Sequence, residues 1–456
     1  MMKKSLLAVA LLLLIIAALP MVGNVYLQNQ LKDIVKHSKN YGLELQKQQT
    51  KSSYLTTQHH YTFVVKDAKK LLEKLATTQD IIHTDATLLN KTLLGVDISY
   101  NNLLFARVLK ADIYPLALNP ELMNALEKKD KPFAVKIKEF FANKGILYHI
   151  EYNLLNEKFK GSIKDIQQEY TLKDKTEISF VLQGASFKGK GSVLGATELQ
   201  NSVKSARISL QQKDISFAMM VEKLHSSNDF VSWSNYTSKL SCKHLRFDIQ
   251  ERMKEHLIVD IEDLRSDADA KEKNKKVILR GATSLKKLLF DSKDINISLQ
   301  KVDSEVVLYD VDPQSYEQFA TLVTHNAQLS KMMQEKLEKN LEEMFAKGLQ
   351  IQIKKLGFQE LVLDGKNLNS LNLFADIKIK PDTTLSNKLQ TAPLSAVQNI
   401  ALQSTIELSE ALYKLLTSSI PNANAINNYA KMENGKVIFD VRFTNTQLMI
   451  NNKVLQ

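Results

Sequence analysis

Two adjacent histidines, His59 and His60 in "TTQHHYTF", are the first residues of this chain with the chemistry to hold a metal ion. A shared ion needs imidazoles that converge, and the alternating pattern around this pair reads as a strand, where neighbours point to opposite faces. The expectation is one exposed ring, one half-buried ring and no common metal. The single cysteine, Cys242, stands in "SCKHLRF" with His244 two residues on, on the same side of a strand. A C-x-H pair without further Cys or His partners falls short of a four-ligand zinc site. A lone thiol with no thiolate-stabilising setting reads as a core residue, and no intrachain disulfide can form.

Asp260, Glu262 and Asp263 offer carboxylates, but no partner base accompanies them and they read as the polar face of a strand and its turn. In "GKGSVLG", Gly189, Gly191 and Gly195 lie in a strand-rich stretch with no following helix to bind an anion, so they read as a turn or bulge. Phosphate-loop, dinucleotide, nucleophile-elbow, H-E-x-x-H and calcium-loop patterns are absent from the sequence. No residue is assigned to catalysis, to a metal or to a cofactor.

The elements around these residues are mostly strands. "YGLELQKQQTKSSYLTTQHHYTFVV" reads as strand, turn and strand, and "DAKKLLEKLA" as a brief helix. "TLLGVDISYNNLLFARVLKADIYPLAL" and "KGILYHIEYNLL" alternate again, the latter with Ile146, Tyr148, Ile150 and Tyr152 on one face. From about residue 158 to 311, strand-length runs joined by polar turns predict an antiparallel meander. At Asp312-Pro313 the period changes to that of a helix, with Leu337, Leu341, Met344 and Phe345 at helical spacing, a break near Thr324 to Ser330, and a stop at Lys347-Gly348. A second helix is expected within Ala396 to Leu416. The chain closes on "ENGKVIFDVRF", an Asn-Gly hairpin whose Val437, Phe439, Val441 and Phe443 take every second place. The fold class is therefore α+β and β-rich: a β-rich region over 28–311, then a helix-plus-sheet region over 312–456.

The start, "MMKKSLLAVALLLLIIAALPMVGNVYLQNQ", is of another kind. Leu6, Leu11, Leu14, Ile15, Leu19 and Val22 belong to an uncharged apolar run; a helix over 6–27 would be roughly 33 Å long, enough for a hydrocarbon core of about 30 Å. Small residues are poorly placed for cleavage, so the segment reads as a retained signal anchor. Lys3 and Lys4 hold residues 1–5 in the cytoplasm and send the bulk of the chain across.

The 456 residues carry a formal charge of +11, with basic runs at "EKKDKP", "KEKNKK" and "SLKKLL" that read as solvated turns or faces. Aromatic residues do not interleave with them, so nucleic acid is not an expected partner; an anionic membrane surface is closer to hand. Taken with the anchor, "YTLKDKTEISFVLQGASFKGKG", "GLQIQIKKLGFQELVLDGKNLNSLNLFADIKIK" and "YAKMENGKVIFDVRFTNTQLMINNKVL", the chain resembles the YdgA-like bacterial proteins along nearly its whole length. It departs from them at "DIYPLALNP", where a His-Gly-Pro turn of the family has no counterpart. The resemblance implies a single-pass inner-membrane protein of a Gram-negative bacterium with its bulk in the periplasm, and brings no catalytic residues.

The leading expectation is a non-enzymatic envelope protein that binds a partner protein or envelope component. An alternative is a curved sheet whose apolar face holds or transfers lipid, and a third is a periplasmic hydrolase with an unrecognised site. Alkaline carbonate tests the anchor: the full-length chain should stay in the membrane pellet, and release into the supernatant would overturn the assignment of 6–27.

Overall fold

The computed structural model describes residues 35–75, 86–103, 108–192, 195–251, 255–325, 331–385, 397–419, 427–444 and 446–455, with positions 28, 31, 32, 388 and 395. The anchor positions Leu6 to Val22 and Lys3 and Lys4 lie outside the described residues. Among the described residues no helix is long and apolar enough to cross a membrane. The described chain is β-rich and antiparallel, with few helices. It divides into two compact units at Ser202 and Val203. That division falls inside the strand-rich stretch, whereas the change from strand to helix near 312, where the sequence placed a boundary, lies within the second unit.

The first unit holds β1 (Leu43–Ser52), β2 (Thr56–Val65), α1 (Ala68–Leu75), β3 (Leu93–Asn101), β4 (Val108–Ala117), α2 (Pro120–Lys129), α3 (Lys131–Ala142), β5 (Tyr148–Asn153), β6 (Lys158–Ile163), β7 (Ile166–Thr171), β8 (Glu177–Gln183), β9 (Ser186–Ser192) and the start of β10 (Gly195–Gln212). Antiparallel pairing links β1, β2, β3, β4, β5, β6, β9 and β10 in that order, and β7 pairs with β8. On β2 every second residue from Thr57 to Val65 is buried, as a one-sided strand requires.

Helices α2 and α3 are a correction, because "EKKDKP" had read as a solvated turn. The stretch is instead the junction of two capped helices. Asn119 Oδ1 accepts the Glu121 N–H at 2.8 Å ahead of Pro120, and Asp130 Oδ1 accepts the Phe133 N–H at 3.0 Å. Both are side-chain caps on otherwise unpaired amides. Met123, Ala134 and Phe141 are the buried residues of the pair.

The second unit continues with β11 (Ile215–Ser232), β12 (Asn235–Glu251), β13 (Glu255–Lys273), β14 (Lys276–Ser292), β15 (Asn296–Val311), α4 (Pro313–His325), α5 (Lys331–Ala346), β16 (Leu349–Leu363), β17 (Lys366–Ile379), β18 (Ile400–Ser409), α6 (Glu410–Ser419), β19 (Lys431–Glu433), β20 (Lys436–Thr444), β21 (Gln447–Ile450) and β22 (Lys453–Val454). From β11 to β18 each strand pairs antiparallel with the next, and as far as β15 this is the meander expected over 158–311. At 19 residues β13 is far longer than the usual strand of about 5–6 residues.

Helix α4 starts as its residues dictate. The Ser315 N–H and hydroxyl both donate to Asp312 Oδ1 at 2.9 Å, and Lys347 Nζ reaches the same oxygen at 2.6 Å. Helices α4 and α5 bury Tyr316, Ala320 and Met344 against Ala270, Val277, Val311 and Leu349 of the sheet. The helix expected within 396–416 is only half there. Its first part is β18, where Ile400, Leu402, Ile406 and Leu408 keep a strand period between β17 and β20. The helix proper begins at Glu410, after Ser409 Oγ accepts the Leu412 N–H at 3.2 Å.

Helix α6 packs Leu412 and Tyr413 on Leu368, Leu408, Val437 and Phe439. The Asn434-Gly435 turn has φ of 50° and 72°, the left-handed pair a tight hairpin needs. It joins β19 to β20, and β20 lies between β18 on one side and β19 and β21 on the other.

Val437 has no exposed surface. Truncating it to Ala should lower unfolding free energy by about 2 kcal/mol through lost methyl burial and the cavity left behind. Val231→Ala, at a position 72% exposed, should stay within about 0.5 kcal/mol of wild type. Chemical denaturation of the two variants checks the contrast.

Candidate apolar binding face

The long strands of the second unit carry apolar residues at alternate positions, and in each strand that alternation slips by one place. On β11 the series Phe217, Met219, Val221 resumes at Leu224; on β13 Leu257, Val259, Ile261 resumes at Leu264; on β15 Ile297, Leu299 resumes at Val302. Reading backwards, β12 gives Ile249, Phe247, Leu245 and then Cys242, β14 gives Phe290, Leu288 and then Leu285, and β16 gives Leu363, Leu361 and then Phe358. Each slip is two consecutive polar residues: Glu222-Lys223, Lys243-His244, Glu262-Asp263, Lys286-Lys287, Gln300-Lys301 and Gln359-Glu360.

The register sets these pairs in one line. Glu222 lies opposite His244, His244 opposite Glu262, Glu262 opposite Lys287, Lys287 opposite Gln300, and Gln300 opposite Glu360. The backbone turns over at this line through left-handed residues on alternate strands, Lys223, Asp263 and Lys301, with φ of 48°, 52° and 50°. A non-glycine residue pays about 1–2 kcal/mol for that conformation. What it achieves is that a slipped sequence keeps its apolar side chains on one face. Phe358, Leu361 and Leu363 pack into one cluster although Phe358 and Leu361 are three apart, and Leu368 and Leu371 do the same on either side of Asn369, φ 56°. The line is a crease across a sheet that stays one-sided.

The apolar face so formed is covered in two places. Helices α4 and α5 lie over the part that carries Ala270, Val277, Leu279 and Leu308, and α6 lies over the part that carries Phe358, Leu361, Leu363 and Leu371. Among the described residues of the second unit, no helix covers the rest of it. Phe217, Met219, Val221, Leu245, Phe247, Ile249, Leu257, Val259, Ile261, Leu288, Phe290, Ile297 and Leu299 share the face on β11–β15, and none of them is buried. Met219 is 39% exposed. The other twelve are half-buried, and apolar side chains left partly accessible over adjoining strands mark a candidate interaction site.

The opposite face is polar and internally paired. His244 Nε2 meets Asp260 Oδ1 at 2.7 Å, Arg246 bonds Asp260 at 3.4 Å and Asp248 at 3.0 Å, Lys286 meets Glu262 at 3.1 Å, and Lys243 meets Asp263 at 3.2 Å. The three carboxylates singled out in the sequence thus brace neighbouring strands. Asp263 is a correction: it lies within β13 at the crease, where a turn had been expected. Cys242 is buried on the apolar side, and burial pushes its thiol above the usual range. Gly189 and Gly191 pair with β10 across a register shift between Ala196 and Glu198, the bulge foreseen for "GKGSVLG".

His59 and His60 do point to opposite faces. His59 is buried rather than half-buried, with Thr50 Oγ1 at 2.9 Å from Nδ1 and the Tyr100 hydroxyl at 3.1 Å from Nε2. Burial lowers its pKa and pushes the Tyr100 phenol up to about 12. His60 is half-exposed and bonds Asp97 at 2.6 Å, which also accepts from Lys144 at 2.7 Å and Tyr114 at 2.9 Å. Burial pushes the Asp97 carboxyl up, and the bonds from Lys144, His60 and Tyr114 outweigh it and hold it below the usual range. Among the described residues no three His, Cys, Asp or Glu side chains gather as a metal site.

A surface cavity of about 530 Å³ in the first unit is lined by Glu151, Lys158, Lys160, Lys188 and Glu198 around Phe159. Hydrogen bonds from Lys160 and Lys110 hold Glu151 down to about 2, so its charge is committed to its neighbours. No family model, curated protein or solved structure matches the chain. The apolar face, not a cluster of reactive groups, is the distinctive feature of the second unit. Its signal in the sequence was the doublet of polar residues in strand after strand, of which "SLKKLL" had been read only as charge.

His59 makes the first unit acid-sensitive. Its folded pKa lies below the unfolded value of about 6.5, so below that pH the unfolded chain takes up a proton that the folded chain resists, and stability falls as pH drops. Protection factors of β2 and β3 amides, taken against the intrinsic exchange rate at each pH, should fall between pH 7 and 5 in the wild type, and the fall should be smaller in His59→Gln.

Proposed function

We propose that this chain is a lipid-binding protein of the bacterial envelope. Residues 6–27 anchor it in the inner membrane, residues 1–5 remain in the cytoplasm, and the β-rich body works in the periplasm, as the resemblance to the YdgA-like proteins implies. The envelope component it binds is lipid, held through acyl chains on the open apolar face, and the protein acts by holding rather than by converting it.

One observation carries this reading. The apolar face of β11–β15 continues the same surface that α4, α5 and α6 cover elsewhere, yet its own Phe, Leu, Ile and Val side chains are only half-buried and Met219 is exposed. A sheet face of this composition gains roughly 25 cal/mol for each Å² removed from water, so a ligand with a long apolar part would bind there through burial alone. An anchor at the start of the chain would keep the body within reach of a bilayer, where acyl chains are the most concentrated apolar solutes. Binding of a partner protein draws on the same face and becomes the reading if lipid is absent.

The test is extraction. Full-length protein purified in mild detergent should carry about one or more lipid molecules per chain by mass spectrometry of the extract. A lipid-free preparation that takes up no added phospholipid would overturn the proposal.

A further inference from the structure

Four lysines of β6 and β9 gather on one face of the first unit. In "KFKGS" and "SFKGKG" lysine takes every second place, and the register sets Lys158 opposite Lys190 and Lys160 opposite Lys188. Their Cα positions are about 4.8 Å apart across the strands and about 6.6 Å apart along them. The residue between the first two fixes which way they face. Phe159 is only 4% exposed and lies opposite Gly189, where a Cβ would stand 2.6 Å from the Phe159 ring. A slip of one place would bring the lysines inward and the ring out into water.

Like charges set directly opposite one another weaken a sheet, so this grouping works against the fold that carries it. One of the four is neutralised: Lys160 meets Glu151 Oε2 at 2.8 Å, and the other oxygen of that carboxylate lies 3.2 Å from Lys110. Among the described residues Lys158, Lys188 and Lys190 form no ion pair, although Glu198 of β10 lies opposite Lys190.

The cavity of about 530 Å³ opens over these lysines. Lys158, Lys160 and Lys188 line it, with Glu151 and Glu198 as its carboxylates. Its volume falls within the range of small-molecule sites. Asn153 and Asn156 line it as well, and each commits its Oδ1 to a backbone N–H, of Leu155 at 2.9 Å and of Lys158 at 3.1 Å, which leaves the amide NH2 groups as donors. A carboxylate would bring this lining one charge and two oxygens. A phosphomonoester brings nearly two charges at neutral pH and three terminal oxygens, and lysine binds phosphate as a point charge.

We propose that this cavity is a binding site for a phosphomonoester, with the phosphate among Lys158, Lys160 and Lys188 and the group it esterifies against Asn153 and Asn156. The lysines are then held together by the anion they bind. The argument is independent of the apolar face on the second unit.

The test is calorimetric titration of the full-length protein in a non-ionic detergent at low salt. Glycerol 3-phosphate is the soluble probe, phosphatidic acid in mixed micelles carries the same phosphate on a lipid, and malonate is a dicarboxylate of like charge. The wild type should bind at least one of the two phosphates saturably and at least tenfold more tightly than malonate. Lys158→Gln with Lys188→Gln should weaken that binding at least tenfold without lowering the thermal melt, since a repulsion is removed with the charge. Arginine at both positions should keep it within about threefold, and Lys128→Gln, the loss of an exposed lysine on α2, should leave it unchanged. Binding of phosphatidic acid alone assigns the site to a lipid headgroup, and binding of glycerol 3-phosphate assigns it to a soluble phosphomonoester. Binding of neither, equal binding of malonate, or affinity indifferent to Lys158 and Lys188 overturns the proposal.

Discussion

The second unit depends on keeping the apolar side chains of very long antiparallel strands on one face. A strand alternates with period two, and a single slipped place would send the following half of its apolar residues into water. Here the slip occurs in six adjacent strands and is answered at one line, where Lys223, Asp263 and Lys301 take left-handed conformations. The strain of three such residues is small beside the burial that would be lost if each strand exposed half its apolar set. Because the register lines up the doublets, the correction is shared by the sheet, and the polar face can tie its charges across neighbouring strands at the crease.

Covering that single face then organises everything else. Helices α4 and α5 are inserted between β15 and β16, and α6 between β18 and β19, each folding back over the strands beside it. What they do not reach is the expanse on β11–β15. The first unit spreads its polar chemistry differently. His59, Tyr100 and Asn102 are buried with their hydrogen bonds met, and Asp97 gathers His60, Lys144 and Tyr114 on the other face of the sheet.

Much of this architecture is legible in the residues. Alternation in "KVIFDVRF" and "HLIVDIEDL" predicts strands that form, and Asn434-Gly435 and Asp312-Pro313 mark a turn and a helix start that form where expected. Two helices were hidden because "NPELMNALEKKDKPFAVKIKEFFA" is crowded with lysine, while its caps, Asn119 and Asp130, are single residues in a charged context. The stretch 400–409 was ambiguous since short apolar runs satisfy both periods, and pairing with β17 and β20 decided for a strand. The open face was the least legible part, for a packed core and a ligand surface need the same alternation. Only the absence of a covering element tells them apart, and that is a property of the three-dimensional arrangement.

The order of strands has its own consequence for how the second unit is made. From β11 to β15 each strand pairs with the one that follows it in the chain across a short connection, and β16 pairs with β17 likewise. Neighbours in space are close in sequence, so closing each hairpin sacrifices little chain entropy and needs nothing that has yet to be synthesised. A polypeptide emerging amino end first could thus zip up strand by strand, its growing edge always awaiting the next segment to appear.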